Sequence, residues 1–171
     1  MKIIILGREE LEELSQNPFP QNTGIISVVD YGAESIKLQH APDYLLQLSF
    51  NNVDSISFDW ETGKEPNEIE RITLERKYHM LTDPQAKQIV DFYLSIENQI
   101  STLICQCECG ISRSSAIASA ILEYRNKQGI KIFADERYEP NKNVFRKVYK
   151  YLIESGYNCL FNPIKYTNNK D

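Results

Sequence analysis

The sequence lacks the features that mark a membrane, fibrous or secreted chain. No apolar run is long enough to cross a bilayer or to form the core of a secretory leader: the N-terminal stretch Ile3-Ile4-Ile5-Leu6 stops there and soon meets Glu9-Glu10. Positive charge is in deficit. With 19 Lys+Arg against 24 Asp+Glu and a net charge of −5, the balance has the wrong sign for a broad surface that holds nucleic acid or an anionic membrane. Seven glycines and seven prolines in 171 residues, with no internal repeat and no low-complexity tract, exclude collagen-like and disordered chains. Cysteine is scarce and clustered: Cys105, Cys107 and Cys109 share one pentapeptide and Cys159 stands apart, which is not the spacing of a disulfide framework. Reduced thiols, and with them a cytoplasmic setting, are the expectation.

What remains is an ordinary globular composition, 42% hydrophobic, 11% aromatic and 25% charged. At this length a folded chain hides roughly 70% of the surface its unfolded form exposes, so one domain over residues 1–171 forms its core without staples. Lys2 to Leu6 reads as a buried strand and Arg8 to Leu14 as a short helix ending before Asn17-Pro18. Ile25 to Val29 is a β-branched strand closed by the turn Asp30-Tyr31-Gly32, a short piece is possible at Ile36 to Leu38, and Tyr44 to Phe50 is a third strand.

From Ser55 to His79 the periodicity is poor and the charge high, which suggests a surface excursion or lid in which Glu68-Ile69-Glu70-Arg71 carries a helical turn. Asp83 then caps a helix with Pro84 at its first position and Ala86, Ile89, Val90, Phe92, Tyr93 and Ile96 on one face. A strand at Ser101 to Gln106, a helix at Ser114 to Lys127 and a last helix from Asn141, ended by Gly156, complete the pattern; the tail 165–171 is polar and frayed. Strands alternating with helices predict an α/β fold with a mostly parallel central sheet of four to five strands.

The chemistry sits in Cys107-Glu108-Cys109-Gly110-Ile111-Ser112-Arg113-Ser114, between a strand and a helix. Such a loop gathers backbone N–H groups at the positive end of the helix and binds anions. Arg113 supplies a planar fork for phosphate oxygens, and Gly110 permits the positive φ that a loop wrapped round an anion needs. The same surroundings lower a thiol to a pKa of roughly 3.5–7.5, making Cys107 a candidate nucleophile toward phosphorus. Ser114 can donate its hydroxyl to the sulfur.

This segment resembles the phosphate-binding loop of the protein tyrosine phosphatase superfamily, Cys-x5-Arg-Ser with a glycine three after the cysteine, and over roughly Ile25 to Ile153 the chain is similar to small bacterial and phage dual-specificity-like phosphatases. The resemblance implies a phosphotyrosine phosphatase-like fold. It also implies hydrolysis of phosphomonoesters through a phosphocysteine on Cys107, with Glu108 to Arg113 holding the phosphoryl group, and with phosphate or vanadate as loop ligands. Two positions depart from the pattern. Gln106 stands where the family has a histidine, which implies a reduced rate, and Asn52 falls at the position of the general acid. Asp54 is then the best remaining carboxylate for protonating the leaving oxygen and Asp59 the second, while Asp83 is better read as a cap.

Substrate class is what the resemblance implies, taken together with the charge of the loop. None of Glu108, Cys109, Gly110, Ile111 and Ser112 is basic, and Glu108 is expected to repel multiply phosphorylated rings, so a phosphorylated protein, phosphotyrosine first and phosphoserine or phosphothreonine after it, or a small phosphomonoester is the expected substrate. No cofactor is implied. A zinc site built on the Cys-x-Cys-x-Cys run with His40 or His79 is disfavoured by the spacing. Cys109 is a bystander or a resolving thiol, and Cys105, alternating with Gln106, and Cys159 are structural. Trp60 covers a core edge or lines a cleft. A weakly catalytic phospho-binding protein is the alternative function, and a sulfur-transfer or arsenate-handling enzyme ranks below both.

Overall fold

The computed structural model describes residues 1–54 and 67–161, the side chains of 157–161 excepted. Its elements in chain order are β1 (Lys2–Leu6), α1 (Arg8–Leu14), β2 (Thr23–Val29), β3 (Tyr44–Ser49), α2 (Glu68–Lys77), α3 (Asp83–Ile96), β4 (Thr102–Gln106), α4 (Arg113–Asn126), α5 (Ile130–Phe133) and α6 (Lys142–Phe161). The strands form one four-stranded sheet in the order β1-β4-β2-β3, and every pairing is parallel.

Sheet position explains the composition of each strand. The inner strands β2 and β4 are covered on both faces, which is why they read as nearly continuous apolar runs. The edge strand β3 alternates instead, and Leu45 on its open face is 40% exposed. Alternation along β4 sorts the core into two layers. Leu103 and Cys105 face the larger one, with Ala86, Ile89, Val90 and Tyr93 of α3, Ala116 to Ile121 of α4 and Val144, Val148 and Leu152 of α6. Ile104 faces the smaller one, with Leu11 of α1, Ile25 and Ile36. The α/β expectation therefore holds, with four strands and all of them parallel.

Three boundaries differ from the sequence reading. Thr82, not Asp83, caps α3: its hydroxyl accepts from the Gln85 N–H while the Gln85 side chain reaches back to the Thr82 N–H at 3.1 Å, so Asp83 and Pro84 lie inside the first turn. The last helix does not stop at Gly156 but runs to Phe161. A glycine inside a helix costs about 1 kcal/mol, and here the missing side chain admits the Tyr124 ring, which a Cβ would approach to 3.3 Å. Within the expected excursion, residues 68–77 form a complete helix rather than one turn, capped by Asn67, whose Oδ1 accepts the Glu70 N–H at 3.0 Å. Residues 55–66, with Asp59 and Trp60, and the tail 165–171 lie outside the described residues. Ile36 to Leu38 forms no strand; Ile36 is buried in the small layer.

That helix is anchored internally. Glu75 of α2 meets Lys147 of α6 at 2.6 Å, and both are nearly inaccessible; Asp83 lies 3.1 Å from the same ammonium. Asn51, just past β3, holds the C-terminal end of α2, since its N–H donates to His79 O at 2.7 Å and its Nδ2 to Tyr78 O at 3.1 Å.

Candidate active site

In a parallel sheet the carboxyl ends of the strands share one edge, and a ligand crevice forms there. Cys107 follows β4 at that edge and is 2% exposed. Its N–H donates to Leu6 O of the neighbouring β1 at 3.3 Å, so the sheet ladder continues into the first residue of the loop. Gly110 turns the loop with φ +70°, and a side chain there would strike Gly7 N at 2.6 Å and the Leu6 carbonyl carbon at 2.7 Å. Conformation and space both require glycine.

The loop is bolted to the junction of β1 and α1. The Arg8 N–H donates to Glu108 O at 3.0 Å, and the Arg8 guanidinium grips the Glu108 carboxylate at both oxygens, 2.8 and 3.0 Å. Hydrogen bonding from Arg8 holds the Glu108 carboxyl below the usual range. Its charge is spent on a partner and it does not line the cleft, which blunts the repulsion expected of it.

Cys107 Sγ lies 3.1 Å from Ser114 Oγ. Burial alone would raise this thiol, but the Ser114 hydroxyl and backbone, the Arg113 guanidinium and the Ser112 backbone outweigh it and hold the Cys107 pKa below its ordinary value. Cys105, on the same face but with no such donors, is pushed up by burial. A thiol raised by burial and one held below its ordinary value thus stand two residues apart, the first in β4 and the second at the start of the loop.

Arg113 opens α4 and is 3% exposed. Its Nη1 donates to Phe50 O at 2.6 Å and its Nη2 meets Asp30 Oδ1 at 2.6 Å. Its Nε is buried with no partner among the described residues. Asp30, read from sequence only as part of a turn, is therefore the carboxylate partner of Arg113. The signal for it is register: Ser27 pairs with Gln106, so the end of β2 lies on the same sheet edge as the loop.

Cys107, Cys109, Ile111, Ser112 and Arg113 line a cleft of about 640 Å³, with Asn52 and Asp54 from the segment after β3 and residues 139–142 from the start of α6. That last segment is pinned to the loop by Glu139 N–H to Ile111 O, 3.1 Å, and Asn141 N–H to Ser112 O, 3.2 Å. Asn141 caps α6 as expected, its Oδ1 accepting the Val144 N–H at 3.0 Å. Asp54 Oδ2 accepts the Lys142 N–H at 3.3 Å. The cleft brings together Cys107, Arg113, Asn52 and Asp54; Asp83 belongs to the Lys147 cluster instead.

Gln106 faces the layer opposite Cys107. Its Oε1 accepts from Ser27 Oγ at 2.6 Å, and its Nε2 is buried without a partner among the described residues. Cys109 is exposed, and Cys105, Cys107 and Cys109 are all free. Among the described residues no three His, Cys, Asp or Glu side chains are grouped to hold a metal, and no helix is long and apolar enough to cross a membrane.

No protein-family model and no curated protein matches this sequence. Solved structures do match it. PTPMT1 in complex with PI(5)P superposes with a TM-score of 0.52 at 13% identity, over 92% of this chain and 94% of that one. Tk-PTP in its active form follows at 0.47 and 14%, over 90% and 92%, and human DUSP28 at 0.46 and 16%, over 91% and 94%. The chain has the α/β fold of the protein tyrosine and dual-specificity phosphatases.

Proposed function

We propose that this protein is a cysteine-dependent phosphatase that hydrolyses phosphomonoesters, aryl phosphates such as phosphotyrosine first. The observation that carries the reading is the Cys107–Arg113 pair: a buried thiol held below its ordinary pKa beside a buried guanidinium whose Nε–H has no partner among the described residues. An anion on the loop would satisfy that donor and face the sulfur.

In this reading the Cys107 thiolate attacks phosphorus, the phosphorus–oxygen ester bond breaks, and the electron pair leaves with the alcohol oxygen. Loop N–H groups and Arg113 stabilise the charge that builds on the equatorial oxygens. Asp54, which lines the cleft as Glu139 also does, gives the leaving oxygen its proton. Water then attacks the phosphocysteine, and the sulfur departs as a thiolate toward the Ser114 hydroxyl, 3.1 Å away. Phosphate is the product.

The test is hydrolysis of an aryl phosphate with vanadate as inhibitor. Wild type turns over, vanadate blocks it, and Cys107→Ser loses at least about 10⁴-fold in kcat. A wild type no faster than Cys107→Ser, while both bind phosphopeptide, leaves a phospho-binding protein as the function.

A further inference from the structure

Asn141 and Asn52 form a hydrogen-bond relay whose polarity is set from one end. The Val144 N–H can only donate, so the Asn141 amide must turn its oxygen to it, and Oδ1 sits 3.0 Å away. Asn141 Nδ2 is thereby committed to the other side, where it donates to Asn52 Oδ1 at 3.0 Å. Ser112 Oγ donates to the same oxygen at 3.1 Å. Both partners of the Asn52 side chain among the described residues are donors to its oxygen, which leaves the Nδ2 end unengaged. Asn52 lines the cleft with Cys107 and Arg113, so the polar end it offers to an occupant is a donor.

We propose that Asn52 is a catalytic residue that donates Nδ2–H to a phosphoryl oxygen, and that Asn141 is a positioning residue that determines which end of Asn52 meets the ligand. The catalytic part rests on the phosphatase reading; the binding part does not. A donor held in place before the ligand arrives needs no reorganisation, and an amide, unlike a carboxylate, serves at every pH and does not repel the anion. If the amide were inverted, its oxygen would confront the phosphoryl oxygens. The cap of α6 is therefore also the device that keeps Asn52 from inverting.

The relay predicts coupling between two substitutions. Asn141→Asp still caps α6 through one oxygen, but its other oxygen can only accept, so Asn52 turns its Nδ2 toward residue 141 and shows its oxygen to the cleft. Inorganic phosphate is titrated calorimetrically into Cys107→Ser protein, alone and with Asn52→Leu, Asn141→Asp, or both, and thermal melts confirm that each variant is folded. Asn52→Leu weakens phosphate about tenfold, the size of one hydrogen bond to a charged group. Asn141→Asp weakens it about thirtyfold. In the Asn52→Leu background the same substitution costs only about threefold, the part due to its added charge, because there is no amide left to invert. Equal costs in both backgrounds, or unchanged affinity in Asn52→Leu, overturn the relay, as does a parent that binds no phosphate.

With Cys107 restored, Asn52→Leu lowers kcat/KM on an aryl phosphate about tenfold and leaves its pH profile in place, since the amide does not titrate. A shifted profile contradicts the assignment. If wild type does not turn over at all, the phosphatase reading falls while the phosphate titrations still decide the role of Asn52.

Discussion

Two buried cations, Arg113 and Lys147, divide the molecule into a region built to hold itself and one built to hold something else. Lys147 is 5% exposed, and its ammonium meets Glu75 at 2.6 Å, Asp83 at 3.1 Å and Leu81 O at 3.0 Å, one acceptor for each N–H. Arg113 is 3% exposed and has Asp30 and Phe50 O on its two terminal nitrogens, but Nε has no partner among the described residues. A buried donor left unmade is costly, on the order of 1–3 kcal/mol. The saturated cation joins α2, α3 and α6; the unsaturated one stands beside the activated thiol. The difference teaches that satisfaction, not burial or charge, separates the structural ion pair from the functional one.

The comparison can be broken at either end. Lys147→Met leaves Glu75 buried without its partner and costs about 3–5 kcal/mol, seen as a Tm lower by about 10 °C, while kcat per folded molecule stays at the wild-type value. Adding Glu75→Leu recovers most of the loss, because a packed apolar pair replaces the ions. A melting curve that does not move, or a kcat that falls with it, would show that Lys147 is not purely structural. Arg113→Lys keeps the charge and loses the fork; kcat on an aryl phosphate drops about 10²–10³-fold with a far smaller change in Tm, since the half-exposed Asp30 returns to water.

The smallest effect sharpens the thiol. The proposed mechanism predicts that the acidic limb of kcat/KM follows protonation of the Cys107 thiolate, whose pKa the Ser114 hydroxyl helps to lower. Ser114→Ala removes a lowering influence, so the limb moves to higher pH and turnover near neutrality falls about tenfold. A limb that stays in place would mean that another group titrates.

Local pattern made β1, α1, α3, the loop and the last helix's cap legible, because each rests on residues a few positions apart: the apolar run Ile3 to Leu6, the spacing from Ala86 to Ile96, the string Cys107 to Ser114. The missed features are tertiary. Asp30 reaches Arg113 only because β2 and β4 pair in a particular register, and Arg8 secures Glu108 across a sequence separation of 100. Lys147 reads as one more charge on an amphipathic helix until Glu75 and Asp83 close on it. Asn141 was visible as a cap, but its grip on Asn52 needs the loop, the segment after β3 and α6 in one place. The cap of α3 was missed by one residue because Thr82 and Asp83 are both good caps, and the reach of Gln85 decides between them.

The central claim is that Cys107 is the nucleophile, and the intermediate itself can be caught. Wild type is mixed with an aryl phosphate, quenched in alkaline denaturant within the first turnover, digested at alkaline pH and analysed by mass spectrometry. The account predicts a phosphoryl group on the peptide bearing Cys107, absent from Cys107→Ser and from samples first treated with vanadate. Continued release of phosphate with that peptide unmodified, or with the phosphoryl group on another residue, would contradict it.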